Sequence, residues 1–261
     1  MTALTMGFAG AVGRTLEPGD EIVCTRLDHD ANIRPWVIHA ERNGATVRFA
    51  EPDPESLELH PSAIDAVLSD RTRWVAVTHA SNAVGTVPDL PGIVSAAHRA
   101  GARVYVDAVH AAPHRRIDVG ALGCDALACS AYKWFGPHIG VQWARPELLA
   151  ELAPDKLLPS PDTFPDRWEN GTLPFEALAG VAAAADYTRG MDWDAVRAHE
   201  DALLAAALEG LDALPGVTVH GRARDRTSTV MFTVEGHTSV QAAAALAEHE
   251  VAVWDLSLIH I

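Results

Sequence analysis

Short apolar, β-branched runs alternate with amphipathic segments through the first half of the chain, and this alternation constrains the fold more than any other feature. The runs read EIVCTRL, ATVRFA, RWVAVTH, RVYVD and ALACS; the segments between them include PWVIHAERNG, PSAIDAVLSD and DLPGIVSAAHRAG. Such alternation is typical of βαβ units, which build a mostly parallel sheet flanked by helices. We therefore predict an α/β fold, with a further strand, IGVQWA, that can run antiparallel after the GPH turn.

Residues that begin and end helices agree with this pattern. Pro61 suits a first helical turn, Asp89 can cap the helix that follows it, and Gly101 can close that helix. The N-terminal MTALTMGFAGAVGRTL has no basic start and no cleavage site, so we predict an interior helix rather than a signal peptide. Its glycines fit neither the GxGxxG nor the Walker pattern and are expected to allow close helix packing.

The composition changes to alanine-rich helix from FEALAGVAAAADYTRG onward. Beyond a long amphipathic stretch, GVTVHG, STVMFTVEG, SVQAAAALAEH and EVAVWD form a smaller α+β pattern. We predict a large domain over residues 1–190 and a partial small C-terminal domain over residues 191–261.

The charge balance limits the partners of this chain. Acidic residues outnumber basic ones 35 to 20, and a net charge of −15 argues against a nucleic-acid groove or an anionic membrane surface. No apolar run reaches the ~18 residues of a membrane span. The three cysteines suit reduced core thiols, so we expect a cytoplasmic protein.

A single lysine stands at the end of the ALACSAYK run, in a chain whose only other lysine is Lys156. Burial lowers the pKa of an ammonium group, and the neutral amine can form a Schiff base with a carbonyl, which arginine cannot do. The alternative is a lysine that merely snorkels at a strand end. The choice depends on what lies near Lys133.

Polar residues follow four of the predicted strands. Ligands of open α/β sheets bind outside the carboxyl ends of the strands, so these side chains are expected to share one crevice. They are Asp28, His29 and Asp30; Ser81 and Asn82; Asp107 and His110; and Ser130, Tyr132 and Lys133.

This set matches the needs of pyridoxal 5'-phosphate. Lys133 would hold the aldehyde, Asp107 would keep the pyridine nitrogen protonated, and His29 could lie over the ring. Asn82 and His110 could reach the phenolic oxygen, whereas Ser130 and Tyr132 offer hydroxyls to the phosphate.

Other interpretations stay open for single residues. Asp107 could be a helix cap, and Asp107, His110 and His114 could bind a metal, although Pro113 should keep the two histidines off one helical face. We predict no metal site. Cys124 and Cys129 lack a CxxC spacing and are expected to pack in the core.

Five motifs in consistent order, LDHDANIRPW, THASNAVGTVPDL, VDAVHAAPHRRIDVGALGCD, SAYKWFGPHIGV and ENGTLPFEALAGVAAAADY, resemble the class V aminotransferase family. The branch they resemble contains cysteine desulfurases and selenocysteine lyases. The resemblance implies the PLP-dependent transferase fold type I, an amino-acid substrate, and a homodimer in which Thr172 reaches the neighbouring subunit's phosphate. It assigns Lys133, Asp107 and His29 to catalysis, and it places His110 where desulfurases usually have glutamine.

The tail departs from that branch. The resemblance implies an arginine for the substrate carboxylate and, five residues later, a sulfur-attacking cysteine, but Trp254 and Ile259 stand there. It also implies family segments before Met1 and beyond the end of the chain. We therefore expect a desulfurase-like enzyme, with a PLP-dependent aminotransferase or epimerase, or an inactive fragment of this fold, as alternatives.

Overall fold

A six-stranded sheet forms the centre of the protein, for which a computed structural model describes residues 1–256. The strand order is β2-β1-β3-β4-β5-β6, parallel from β2 to β5, with β6 antiparallel to β5. The predicted parallel sheet and its antiparallel last strand are therefore confirmed. The strands are β1 (Glu21–Thr25), β2 (Thr46–Ala50), β3 (Thr72–Thr78), β4 (Arg103–Asp107), β5 (Ala126–Ser130) and β6 (Gly140–Ala144).

Helices cover both faces of this sheet. They are α1 (Thr2–Gly13), α2 (Arg34–Arg42), α3 (Pro61–Asp65), α4 (Leu90–Arg99), α5 (Val119–Leu122) and α6 (Pro146–Glu151). Phe8 of α1, Trp36 of α2 and Leu148 of α6 pack on one face, whereas Ile64 of α3 and Ile93 of α4 pack on the other. Because helices cover both faces of the sheet, side chains on both sides of each strand are apolar, and the strands appear in the sequence as continuous hydrophobic runs.

The predicted helix ends are confirmed, with one shorter helix. The Asp89 carboxylate accepts a hydrogen bond from the Gly92 amide (3.1 Å) at the start of α4, and Gly101 takes a left-handed φ of 80° after it. Helix α1 is interior, as expected. Gly13 allows close packing there, because an added Cβ would lie only 3.0 Å from the Cβ of His39. Helix α3 is shorter than predicted, with only five residues, and residues 66–71 connect it to β3.

The second half contains α7 (Phe175–Arg189), α8 (Trp193–Asp212), β7 (Val217–His220), β8 (Met231–Val234) and α9 (Ser239–Ala247). Strands β7 and β8 form a separate antiparallel pair. The strand expected over EVAVWD is wrong, because residues 251–256 form no strand and Val251 and Val253 are exposed. The domain division stays a prediction; its boundary coincides with Gly190, which ends α7.

The segment between β7 and β8 docks on the large sheet's loops through main-chain hydrogen bonds. The Thr227 amide donates to the Gly85 carbonyl (2.8 Å), and the Val87 amide donates to the Asp225 carbonyl (2.9 Å). Gly85 has a φ of 75°, and a Cβ there would lie 2.9 Å from the Thr227 carbonyl oxygen. Only glycine allows both this backbone conformation and this approach.

Replacing Gly85 should therefore destabilise the protein more than replacing a glycine that has only the unusual φ. Gly101 is the matched control, since its φ is 80° and a Cβ there meets nothing within 4 Å. We expect Gly101→Ala to cost about 1–2 kcal/mol of unfolding free energy and Gly85→Ala about 1–3 kcal/mol more from overpacking. Urea denaturation measures both; equal losses would contradict close packing at Gly85.

Candidate active site

A cavity of about 620 Å³ opens at the carboxyl ends of β1, β3, β4 and β5. Parallel strands bring these ends to one edge: Thr78 of β3 pairs with Asp107 of β4, which pairs with Ala128 of β5. The structure thus brings together seven of the eight residues that the sequence predicts for the site. The seven that line the cavity are His29, Asn82, Asp107, His110, Ser130, Tyr132 and Lys133.

Asp107 is a buried carboxylate in this cavity, only 3% exposed. One oxygen accepts a hydrogen bond from the Val109 amide (2.9 Å), and the other has no hydrogen-bond partner in residues 1–256. Burial raises the pKa of Asp107 to about 6, against the lowering effects of that amide and of the nearby chain amino terminus. A ligand cation against the unbonded oxygen would favour the ionised form.

Asp28 is a second buried carboxyl of the cavity; sequence analysis placed it in the crevice but gave it no role toward the cofactor. It accepts hydrogen bonds from Thr25 and from the Asn32 amide nitrogen (2.7 Å). Burial, with a further contribution from the charge on Asp107, raises the pKa of Asp28 to about 8 in spite of these bonds. Burial thus favours the protonated form of Asp28, and the only sequence signal for this group is its position at a strand end.

Lys133 lines the cavity but is exposed, so the expectation of a buried lysine at a strand end is wrong. It ends a 3₁₀ turn that follows β5, which carries it past the buried strand. Its Nζ lies 5.5 Å from the ring centroid of Tyr132. Tyr132 in turn stacks on His138, with centroids 4.9 Å apart. Lys133 thus lies beside the ring of Tyr132 rather than inside an apolar pocket.

His29 and Asn82 lie in the loops after β1 and β3. His29 is exposed; its Nδ1 accepts a hydrogen bond from the Ala31 amide (3.0 Å), which fixes the ring at the start of a 3₁₀ turn. Asn82 is half-buried in the turn that Ser81 begins. Both side chains keep polar atoms available to a ligand.

Ser130 and Thr172, two residues predicted to contact the phosphate, have different surroundings. The hydroxyl of Ser130 accepts a hydrogen bond from the Met1 amino group (3.2 Å), and Met1 and Thr2 also line the cavity. Thr172 does not line it; it is exposed just before α7. Its predicted role in a neighbouring subunit stays a prediction.

The metal alternative gains no support from the geometry. The rings of His110 and His114 are 5.2 Å apart, so the expectation that Pro113 would separate them is wrong. His114 instead pairs with Glu200 (2.9 Å). Within residues 1–256 no group of three or more His, Cys, Asp or Glu side chains could hold a metal ion.

Comparison with known proteins identifies the fold and the family. The family model for aminotransferase class-V matches residues 3–255. The chain belongs to the class V aminotransferase family. The predicted family resemblance is thereby confirmed.

Curated relatives are longer than this chain. A cysteine desulfurase of Dickeya dadantii is 35% identical over 259 residues, which cover 94% of this chain and 62% of that protein. An aminotransferase-like protein of Gibberella zeae is 35% identical over 246 residues, covering 90% of this chain and 61% of that protein. The chain thus spans about 62% of the length of the first of these class V relatives.

Solved structures agree. A cysteine desulfurase of Escherichia coli superposes with a TM-score of 0.86 at 28% identity, over 96% of this chain and 65% of that one. The apo cysteine desulfurase of Thermococcus onnurineus gives 0.88 at 28% identity, over 96% and 66%. The predicted fold, PLP-dependent transferase fold type I, is confirmed. No helix among the described residues has the length and apolar character needed to cross a membrane.

The protonation of Asp28 predicts how stability depends on pH. A folded-state pKa raised from 3.8 to about 8 means that the folded state keeps a proton that the unfolded chain releases. The resulting stability is complete below about pH 4 and is lost as the pH rises through about 8. Asp28→Asn should remove this loss, leaving a smaller decline from Asp107 between about pH 4 and about pH 6.

Urea denaturation across this pH range, comparing Asp28→Asn with the wild type, measures the effect. Asp30→Asn is the control, because Asp30 is an exposed neighbour that forms an ion pair with Arg34. Parallel stability–pH curves for Asp28→Asn and the wild type would show that Asp28 is ionised in the fold.

Proposed function

We propose that this protein is a PLP-dependent enzyme acting on an amino acid, with cysteine desulfuration as the first reaction to test. One observation carries the proposal: Lys133 and Asp107 line the same cavity at the carboxyl ends of the central strands. The curated and solved relatives named cysteine desulfurase support the reaction class.

The residues present fit pyridoxal 5'-phosphate. The second oxygen of Asp107, a residue only 3% exposed, is left open to the cavity as an acceptor, which suits a protonated ring nitrogen. The Ser130 hydroxyl and the aromatic Tyr132 lie on the same wall as Lys133. When bound, pyridoxal phosphate withdraws electrons from the α-carbon of an amino acid attached to it.

Each side chain then has a proposed task. Lys133 would supply the amine that holds the cofactor and would move a proton at the substrate α-carbon. Asp107 would keep the ring nitrogen charged, and His29 would lie against the ring. Asn82 and His110 would hydrogen-bond the phenolic oxygen, whereas Ser130 and Tyr132 would hold the phosphate.

A second candidate, transamination or epimerisation without desulfuration, has its own support. Cys24, Cys124 and Cys129 are all buried, and no cysteine of residues 1–256 lines the cavity. Trp254 lines it at the position where the resemblance implies an arginine. Position 259, where it implies a cysteine, lies outside the described residues. Release of sulfide and alanine from cysteine would favour desulfuration; an amino-acid product without sulfide would favour the second candidate.

We also propose a homodimer and a cytoplasmic location. Three buried, unpaired cysteines suit a reducing compartment. Exposed apolar side chains on and beside α7, together called the α7 patch, support the dimer: they are Phe135 (63% exposed), Phe175 (65%), Leu178 (37%) and Tyr187 (60%), of which Phe135 and Tyr187 contact each other. Such a patch is typical of an interface. It adjoins Thr172, the residue predicted to reach a neighbouring subunit.

The two lysines provide a direct test of cofactor attachment. Wild type and Lys156→Ala should both show the long-wavelength absorbance of bound pyridoxal phosphate, and Lys133→Ala should lose it. Borohydride reduction followed by peptide mapping should label the peptide with Lys133, because a reducible bond requires a free amine. Labelling at Lys156, or no binding by the wild type, would refute the proposal.

The dimer is tested by placing a charge in the α7 patch. Sedimentation should give a dimer for the wild type and a monomer for Phe175→Asp, because the buried charge would be unpaired. Aspartate is compatible with the first turn of a helix, so α7 should survive. Leu203 of α8 is 57% exposed but lies outside the α7 patch. The control variant Leu203→Asp should therefore remain dimeric. A monomeric wild type would contradict the homodimer.

A further inference from the structure

A turn after β3, the cavity turn (residues 81–86), carries Asn82 to the wall of the cavity. Two main-chain hydrogen bonds set the shape of this turn: the Ser81 amide donates to the Thr86 carbonyl (2.9 Å), and the Gly85 amide donates to the Ser81 carbonyl (2.9 Å). The first four residues of the turn all line the cavity. A shift of the whole turn would therefore move Asn82 relative to the other side chains of the cavity.

Arg226 joins this turn to a distant part of the chain. Its Nη2 donates to the Val84 carbonyl of the turn (3.1 Å) and to the Thr229 carbonyl (2.7 Å), and its Nη1 donates to the Gly221 carbonyl (2.7 Å). Gly221, Arg226 and Thr229 belong to the docking segment, residues 221–229 between β7 and β8. One guanidinium thus connects both ends of the docking segment to the cavity turn, which suits the several fixed N–H donors of arginine.

The other hydrogen bonds between these two segments lie farther from Asn82. The Thr227 amide donates to the Gly85 carbonyl (2.8 Å), and the Val87 amide donates to the Asp225 carbonyl (2.9 Å). These bonds hold the part of the chain where the turn ends. The bond from Arg226 to Val84 holds the part next to Asn82.

The surroundings of Arg226 indicate that its effect is local. The residue is half-buried, and within residues 1–256 its guanidinium donates to main-chain carbonyls and to no carboxylate. Its Nε is buried without a hydrogen-bond partner. A partly buried cation that lacks an acidic partner and leaves one N–H unpaired gains little net stability from its burial. We therefore expect the loss of this guanidinium to loosen the turn more than the whole fold.

We propose that Arg226 is a positioning residue: by holding the Val84 carbonyl, it fixes the cavity turn and keeps Asn82 in its place in the cavity wall. Under the proposed function, Asn82 would reach the phenolic oxygen of pyridoxal phosphate, to which its side-chain amide can donate a hydrogen bond. The placement of the turn stands on the contacts alone. Only the consequence for the cofactor rests on the proposed function.

Hydrogen exchange in the protein without cofactor tests the positioning. Arg226→Met removes the N–H donors and keeps a long side chain. We expect the amides of Ser81 and Gly85 to exchange about tenfold faster in this variant, the effect of losing roughly one hydrogen bond. The amides of β4 should exchange as they do in the wild type, because the sheet does not depend on this contact.

The docking segment contains a matched control. Arg222 is exposed and pairs with Asp212 instead of the cavity turn, so Arg222→Met should leave the turn amides unchanged. Arg226→Gln, which offers two N–H donors for three carbonyls, should repeat the effect of Arg226→Met. Unchanged turn amides in both variants at position 226, or equal acceleration in the turn and in β4, would overturn the proposal. Failure of both variants to fold would also overturn it, because a positioning residue is not required for the fold.

Cofactor titration followed by absorbance tests whether Arg226 acts through Asn82. Arg226→Met should bind pyridoxal phosphate about tenfold more weakly than the wild type, and Arg222→Met should bind as the wild type does. In an Asn82→Ala background, Arg226→Met should have no further effect, because the side chain that it positions is absent. Equal weakening in both backgrounds would overturn the action through Asn82. Failure of the wild type to bind would overturn the proposed function, whereas hydrogen exchange would still decide the positioning of the turn.

Discussion

The site depends on one carboxylate, that of Asp107, buried at the end of β4, an interior strand of the parallel part of the sheet. Strands β3 and β5 pair with β4 on either side, so water cannot reach this end of the strand laterally. The Val109 amide satisfies one oxygen and leaves the other open to the cavity. A carboxylate in this position is costly unless it is hydrogen-bonded or meets a cation, which is why its surroundings favour a positively charged ligand.

Much of this architecture could be predicted from sequence because it depends on periodicity and on order. Buried runs separated by amphipathic segments specify parallel strands, and parallel strands place their following residues at one edge. Asp107 and His110 could therefore be assigned to the same crevice as Ser130, although the first two lie at the end of β4 and Ser130 ends β5. The five spaced motifs added the family, which no single residue could have shown.

The wrong predictions share one physical cause: the environment of a residue depends on which distant parts of the chain pack against it. Lys133 follows a buried strand, but the 3₁₀ turn after β5 carries it to the rim of the cavity. EVAVWD has strand-like residues, yet these become a strand only with a hydrogen-bonding neighbour. Thr227, whose hydroxyl lies 3.2 Å from His110 Nε2, docks on Gly85 by a main-chain hydrogen bond that side-chain patterns do not reveal.

The two buried carboxyls of the cavity, Asp28 and Asp107, illustrate how burial can divide roles between similar groups; the third carboxyl that lines it, Asp30, is exposed. Burial raises the pKa of both buried groups, and the charge on Asp107 raises the pKa of Asp28 further, to about 8. Near neutral pH burial thus favours one negative charge on this pair instead of two. One charge matches a single protonated ring nitrogen, whereas a second would leave an uncompensated anion in an enclosed space. A neutral Asp28 thus leaves Asp107 as the buried carboxylate that can pair with a cationic ligand.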